Sequence, residues 1–270
     1  MIKPGEIQKI ANRLGLRDTQ IEKDYVIGWV LKGISNNNNL KEILIFKGGT
    51  ALRKIYFTDY RLSEDLDFTC KSEEYPSSQI KKHFLELIEF VKTEARINLN
   101  IQDEDKTFNN FYLSYTGPLG GKGANKSIKI DIADDEILCN DPVEMDIKNE
   151  YSDLKDEFKL FSYSLGEIIS EKMRSLIQRT MPRDLYDLWY LFEIENHSIE
   201  DYIPDFEIKK DYKGLKSQNL TDTVLKKKET FKSQWEKHLV NQINEIPNFE
   251  DVWRELGKHW RRFDKVVKKI

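Results

Sequence analysis

The sequence predicts an α+β fold: a small mixed sheet flanked by helices, followed by an all-helical domain. Three observations carry this expectation. Segments that alternate apolar and polar residues, at 63–69, 111–115 and 127–132, all lie before residue 150. After about Tyr151 only helical periodicity remains. The chain has 270 residues, enough for two modest domains, so 1–150 and 151–270 are taken as the units.

The elements follow in order. Ile7, Ile10, Ala11 and Leu14 repeat at helical spacing until Gly15, and Asp18-Thr19 offers a cap for a second helix carrying Ile21, Tyr25, Val26, Trp29 and Val30. Residues 36–39, four asparagines, read as a polar loop, and the apolar stretch 40–46 as a helix end or a buried strand. Ala51, Leu52, Ile55 and Tyr56 then form a short helix, 63–69 a strand, and 77–97 a long helix with Ile80, Phe84, Leu87, Ile88 and Val91 on one face. Segments 111–115 and 127–132 read as an antiparallel hairpin whose mobile loop includes Gly117-Pro118-Leu119-Gly120-Gly121-Lys122-Gly123. In the second half, Ser164-Leu165-Gly166-Glu167 has the form of a capping box ahead of Ile168, Ile169, Met173, Leu176 and Ile177. Pro182 suits the first turn of the next helix, which carries Leu185, Leu188, Trp189 and Phe192. Amphipathic helices at 222–243 and 249–267 complete the chain.

Composition excludes several classes. With 39% hydrophobic and 11% aromatic residues the chain has the means to build a core, so it is not disordered. The 43 basic and 47 acidic residues leave a net charge of −4, so any nucleic-acid contact must come from a local patch. Cys70 and Cys139 cannot form a disulfide framework and fit a reducing cytoplasm. No leader-like start and no apolar run near the roughly 18 residues of a membrane span are present, so a cytoplasmic protein without a membrane partner is expected. His83, His197, His238 and His259 fall in no metal-ligand spacing. Neither a Walker glycine loop nor a Gly-x-Ser-x-Gly elbow occurs, which argues against a P-loop ATPase and a serine hydrolase.

Three pieces of the first half carry chemistry. Gly48, Gly49 and Thr50 stand directly between an apolar run and a helix, where backbone N–H groups suit phosphate oxygens; a plain tight turn is the competing reading. In the strand, Asp65 and Asp67 share one face while Leu66 and Phe68 take the other. Two carboxylates so close repel each other, which a hard cation such as Mg²⁺ relieves; a solvated edge strand is the alternative. Asp131 lies opposite the stripe of Ile128, Ile130 and Ile132, so it either completes a metal site with Asp65 and Asp67 or pairs with a lysine such as Lys129.

In the second half Lys172 and Arg179, seven residues apart, share a helix face and suit a triphosphate. Asp184 and Asp187 share a face of the next helix and are placed to orient Lys172, Arg179 or Arg183; an ordinary salt-bridged hairpin is the alternative. In the tail, Arg254, Lys258, Arg261, Arg262, Lys265, Lys268 and Lys269 mingle with Trp253, Trp260 and Phe263. That combination admits RNA backbone contact with base stacking, or a solvated basic helix whose aromatics are core.

A glycine turn into a helix, Asp-x-Asp about 16 residues on, and a later strand aspartate make the arrangement of the nucleotidyltransferase superfamily. Phe46-Lys47-Gly48-Gly49-Thr50-Ala51-Leu52-Arg53-Lys54 with Arg61-Leu62-Ser63-Glu64-Asp65-Leu66-Asp67-Phe68 resembles the AbiEii/AbiGii toxin family. Glu22-Lys23-Asp24-Tyr25 is similar to that family's N-terminal helix. Glu171-Lys172-Met173-Arg174-Ser175-Leu176-Ile177-Gln178-Arg179 resembles its helical Lys-Leu…Arg motif, and Arg183-Asp184-Leu185-Tyr186-Asp187-Leu188 its Arg-Asp-x-x-Asp motif. Met173 stands where leucine is usual and Met181 where the family often has lysine, which removes one candidate phosphate contact.

The resemblance implies a nucleotidyltransferase-like domain and a Mg²⁺-dependent, growth-inhibiting enzyme of abortive-infection and toxin–antitoxin pairs. On that reading Asp65, Asp67 and Asp131 hold the metal and act in catalysis with Lys172, Asp184 and Asp187. Gly48, Gly49, Thr50, Lys172, Arg179 and Arg183 bind the NTP, which the resemblance suggests is GTP. The acceptor hydroxyl belongs to an RNA, such as a tRNA 3′ end, or to a protein. A separately encoded antitoxin is implied. The rival readings are a catalytically inactive NTP-binding sensor or partner-binding module, and a metal-dependent nuclease using the same carboxylates.

Overall fold

A computed structural model of the chain describes residues 1–71, 76–102, 105, 108–121 and 126–268. Lys122, Gly123 and Lys269 fall outside the described residues. The chain divides into two compact units, residues 1–136 with 142–163, and residues 137–141 with 164–270. No helix among the described residues is long and apolar enough to cross a membrane.

The first unit is built on a mixed sheet, β1 (Leu44–Lys47), β2 (Asp65–Cys70), β3 (Asn98–Gln102), β4 (Asn110–Thr116), β5 (Ser127–Ala133), β6 (Val143–Asp146) and β7 (Lys159–Ser162). Their order across the sheet is β3-β4-β5-β2-β1-β7-β6. β2 runs antiparallel to β1 and parallel to β5, and β4 and β5 form the expected antiparallel pair. Helices α1 (Pro4–Leu14), α2 (Asp18–Asn36) and α3 (Asn38–Ile43) precede the sheet, α4 (Gly48–Ala51) continues as a π-helical turn through Leu52–Tyr56, and α5 (Ser77–Ala95) connects β2 to β3. The core side of the sheet is aromatic: Phe46 of β1 meets Phe68 of β2 at 5.5 Å between ring centres, and Phe84 of α5 meets Phe111 of β4 edge-on at 5.0 Å.

Several local expectations are corrected. Asp18 is the first residue of α2 rather than its cap, and the Arg17 backbone N–H donates to Gln20 Oε1 at 2.8 Å. The asparagine run is no loop: Asn37 caps α3, its side chain accepting from the Leu40 N–H at 3.1 Å. Residues 40–46 supply both alternatives, the end of α3 and then β1. The composition change near residue 150 precedes one more strand, because β7 lies parallel to β1 and the Ser162 hydroxyl donates to the Phe46 carbonyl at 2.9 Å.

The second unit is helical: α6 (Leu165–Gln178), α7 (Pro182–Trp189) with a π-helical turn Tyr190–Ile194, a 3₁₀ turn Ile199–Tyr202, α8 (Ile203–Tyr212), α9 (Leu220–Lys226), α10 (Lys228–Leu239) and α11 (Phe249–Val267). The Ser164 hydroxyl accepts from the Glu167 N–H at 3.1 Å, as the capping motif predicts. The helix expected over 222–243 is two helices that part at Lys227, whose ammonium donates to the carbonyls of Leu176 and Ile177. Its core joins Phe206 to Phe263 at 5.5 Å and Trp235 to Phe249 at 5.5 Å. Residues 137–141 belong here because buried Glu167 accepts from the backbone N–H groups of Cys139 and Asn140, each at 3.1 Å.

Candidate active site

On β2, Leu66 and Phe68 are fully buried and Asp65 and Asp67 half-buried, because alternation sends the carboxylates to the face away from the core. β5 lies beside it in a register that sets Asp65 level with Lys129 and Asp67 level with Asp131. Lys47 of β1 lies level with Asp67, and Asn110 of β4 level with Asp131. Residues level across a ladder share a face, so four adjacent strands contribute one polar patch with three carboxylates in it.

The glycine bend borders this patch. Gly48 has φ 80°, and a β-carbon there would press on the Asp67 carboxylate, so both backbone and space require glycine. A β-carbon on Gly49 would lie 2.7 Å from a guanidinium nitrogen of buried Arg61. The Thr50 hydroxyl donates to the Asp65 carbonyl, fastening the bend to β2. The close approach that the glycines permit is thus to the chain's own Asp67 and Arg61.

Asp131 is held on two sides: the Lys129 ammonium lies 2.9 Å from Oδ2, and the Asn110 amide donates to Oδ1 at 3.4 Å. Burial disfavours the Lys129 charge, but its hydrogen bond to Asp131 and the charges of Asp131, Asp65 and Asp67 outweigh that and raise its pKa above the ordinary lysine value. The Lys129 ammonium thus contacts Asp131 and feels the charges of Asp65 and Asp67, and the three carboxylates offer the oxygen donors that a hard divalent ion prefers.

In the second unit, Lys172 of α6 lies 2.8 Å from Asp184 and 2.7 Å from Asp187 of α7, all three buried. Arg179 reaches Asp184 at 2.7 Å with a side chain 58% exposed, so of these cations it presents most charge to solvent. Burial pushes the Asp184 carboxyl up, but Lys172 and Arg179 outweigh it and hold it below the ordinary value. Arg183 is half-buried at the start of α7. Four residues that the sequence pairs by helix face are thus brought together within this unit.

A family model described as the nucleotidyl transferase AbiEii toxin, type IV toxin–antitoxin system, matches residues 29–268. The chain belongs to the AbiEii family. It is therefore a nucleotidyltransferase toxin, with an NTP as substrate and an antitoxin as partner. Among solved structures it is similar to MenT4, a nucleotidyltransferase toxin from Mycobacterium tuberculosis, at 16% identity and TM-score 0.72, covering 96% of this chain and 89% of that one. It is also similar to a candidate nucleotidyltransferase from Helicobacter pylori at 19% identity and TM-score 0.61, covering 94% and 98%. At these identities the likeness establishes the fold. Comparison with curated proteins gives no match.

The AbiEii-like segment Glu22-Lys23-Asp24-Tyr25 has a task that its motif alone did not reveal. Asp24 is buried against Lys54 at 2.7 Å, Arg53 at 3.4 Å and the Tyr151 hydroxyl at 2.6 Å. Burial raises its pKa, but the two cations and the hydrogen bonds prevail and bring it down to about 2. Glu22 accepts from the Leu119 N–H at 2.7 Å and pairs with Lys126 at 2.8 Å, anchoring both described ends of the glycine-rich loop. The sequence does not single out Lys47 and Arg61, whereas it offers Lys129 as a partner for Asp131, and that pair is observed.

Two other clusters are distinguished from the acidic patch. Donor atoms of Cys139, Glu167 and Asp205 lie within 4.8 Å of one another. Glu167 already pairs with Lys209 at 2.5 Å and accepts from residues 139 and 140, so this cluster acts as a structural tie. In α11, Trp260 and Phe263 are buried at 2% and 1%, so these two aromatics are core and the stacking expectation for them is withdrawn, whereas Trp253 is half-buried against Phe231 and Phe249. Arg254, Lys258, Arg261, Lys265 and Lys268 are exposed and follow a 4-3-4-3 spacing along one face. Arg254 pairs with Asp251, whereas Lys258, Arg261, Lys265 and Lys268 form no ion pair among the described residues.

Proposed function

We propose that the chain transfers a nucleoside monophosphate from a Mg²⁺-bound NTP to an acceptor hydroxyl, releasing pyrophosphate. The observation that carries this reading is the shared face of Asp65, Asp67 and Asp131 beside the Gly48 bend. Asp65, Asp67 and Asp131 would hold the metal, which when bound supplies charge neutralisation at the polyphosphate. The N–H groups at Gly48, Gly49 and Thr50 would receive phosphate oxygens, and Asp131 is the carboxylate assigned to accept the proton of the attacking hydroxyl. Taken by itself, the second unit offers Lys172, Arg179 and Arg183 as a cationic group suited to polyphosphate, with Asp184 and Asp187 fixing the geometry of Lys172. Positioning and charge neutralisation then account for most of the rate, and GTP is the first nucleotide to assay on the strength of the family resemblance.

An RNA acceptor is favoured over a protein by the exposed stripe on α11. Four unpaired cations about 5 Å apart along the helix axis suit a phosphodiester backbone. The test incubates purified protein and Mg²⁺ with each α-³²P-NTP and either total bacterial RNA or protein. Label joined to RNA, and lost with Asp65→Ala or Asp67→Ala, supports the proposal. Nucleotide binding without label transfer supports the sensor reading instead, and shortened RNA supports the nuclease.

A further inference from the structure

On β4, Tyr112 alternates with buried Phe111 and Leu113, so its side chain shares the sheet face of the carboxylates. The register sets Tyr112 level with Lys129 and Asn110 level with Asp131. Diagonal neighbours across a ladder lie about 7–8 Å apart, within reach of an aromatic ring, which places Tyr112 beside Asp131. The residue is 37% exposed, and its ring has no aromatic, cationic or hydrogen-bond partner among the described residues. Exposed Tyr212, by contrast, lies in the second unit and already faces the Lys213 ammonium at 5.8 Å. On β4 and β3 the open face is polar but uncharged: Tyr112 is level with exposed Gln102, and Ser114 with exposed Asn100. An exposed ring among amides and a hydroxyl suits an unpaired base, which stacks by its face and hydrogen-bonds by its edge.

We propose that Tyr112 is the stacking platform for the terminal base of the acceptor RNA, setting its 3′ hydroxyl at Asp131. The proposal rests on the reading of the chain as a transferase with an RNA acceptor.

Strand order gives the face a direction. The sequence of strands is β4-β5-β2-β1, the glycine bend follows β1, and Tyr112 on β4 lies three strand spacings away, about 14 Å. In phosphoryl transfer the attacking and leaving oxygens stand roughly in line on opposite sides of the phosphorus. With the leaving pyrophosphate at the bend, the acceptor hydroxyl comes from the β5–β4 side. Its oxygen bonds to the α-phosphorus, the bond to pyrophosphate breaks, and its proton passes to Asp131. The ribose that carries this hydroxyl then holds its base over β4, where Tyr112 is the exposed ring. The donor's phosphates and the acceptor's base thus occupy opposite ends of one sheet face.

The experiment titrates the full chain into single-stranded RNA whose 3′-terminal base is 2-aminopurine, whose emission falls when a ring stacks on it. The natural chain and Tyr112→Trp are expected to quench the emission, and Tyr112→Ala to leave it at the level of free RNA. In label transfer from α-³²P-NTP, Tyr112→Ala is expected to raise KM for RNA about tenfold with KM for NTP unchanged, and Tyr112→Trp to match the natural chain. Label on RNA with emission and KM both unchanged in Tyr112→Ala overturns the role of Tyr112 alone. A rise in KM for NTP rather than for RNA makes the ring a platform for the donor base and overturns the acceptor assignment. Label on protein overturns the RNA-acceptor reading, and the role of Tyr112 with it.

Discussion

Replacing Lys172 with methionine tests how much of the second unit's ion cluster is structural. The ammonium lies 2.8 Å from Asp184 and 2.7 Å from Asp187, and the three side chains are 9%, 3% and 0% exposed. Methionine fills nearly the same space but leaves two carboxylates without that charge. Arg179 still reaches Asp184 from a side chain 58% exposed, so its compensation is partial. Removing one partner of a buried pair costs about 3–5 kcal/mol, which for a chain of this size lowers Tm by roughly 6–20 °C. Guanidinium unfolding followed by circular dichroism measures it. The double variant Lys172→Met/Asp187→Leu removes one of the two carboxylates that faced the ammonium and should recover at least half of the loss. A single-variant cost below about 1 kcal/mol, or a double variant as unstable as the single, would refute the reasoning.

Further outcomes are expected elsewhere. Gly48→Ala meets a left-handed backbone and the Asp67 carboxylate, so it should cost about 1–3 kcal/mol and reduce label transfer further than the lost stability explains. Asp24 has its pKa brought from 3.8 down to about 2, so its stabilising contribution is complete above pH 3.8 and lost as pH falls through about 2. Acid unfolding curves of Asp24→Asn should lack that component while showing lower stability at pH 7. Replacing Arg261 and Lys265 with glutamine should weaken RNA binding and reduce the slope of log K against log salt by roughly 1.4, about 0.7 for each cation on a single strand, measured by fluorescence anisotropy.

Where local periodicity was strong, the sequence alone disclosed the fold. β4 and β5 alternate over seven residues each, and α11 runs over the residues its pattern predicts, so both were legible. β6 and β7 have four residues each, too few to show a period, and β7 exists because of its long-range pairing with β1. β3 alternates, with Leu99 buried between exposed Asn98 and Asn100, but a mostly polar edge strand resembles a loop in composition. The asparagine run misled because propensity describes the residue type, and one of those asparagines serves as a cap. At the candidate site, strand alternation gave the face of Asp65, Asp67 and Asp131, but the register that makes Asp67 and Asp131 neighbours is a tertiary fact. Lys172 with Asp184 and Asp187 was legible because helix spacing fixes which residues meet. Asp24 with Arg53 and Lys54 was not, since nothing local announces an ion cluster across 29 residues.

The most direct test of the acidic patch as the seat of nucleotidyl transfer is label transfer from α-³²P-NTP by Asp131→Asn, with folding verified by circular dichroism. Nitrogen for oxygen keeps the shape of the side chain and removes the charge. The account predicts a native spectrum with label transfer reduced at least about 100-fold, the scale on which a positioned acid–base group acts. Full transfer by folded Asp131→Asn would contradict it.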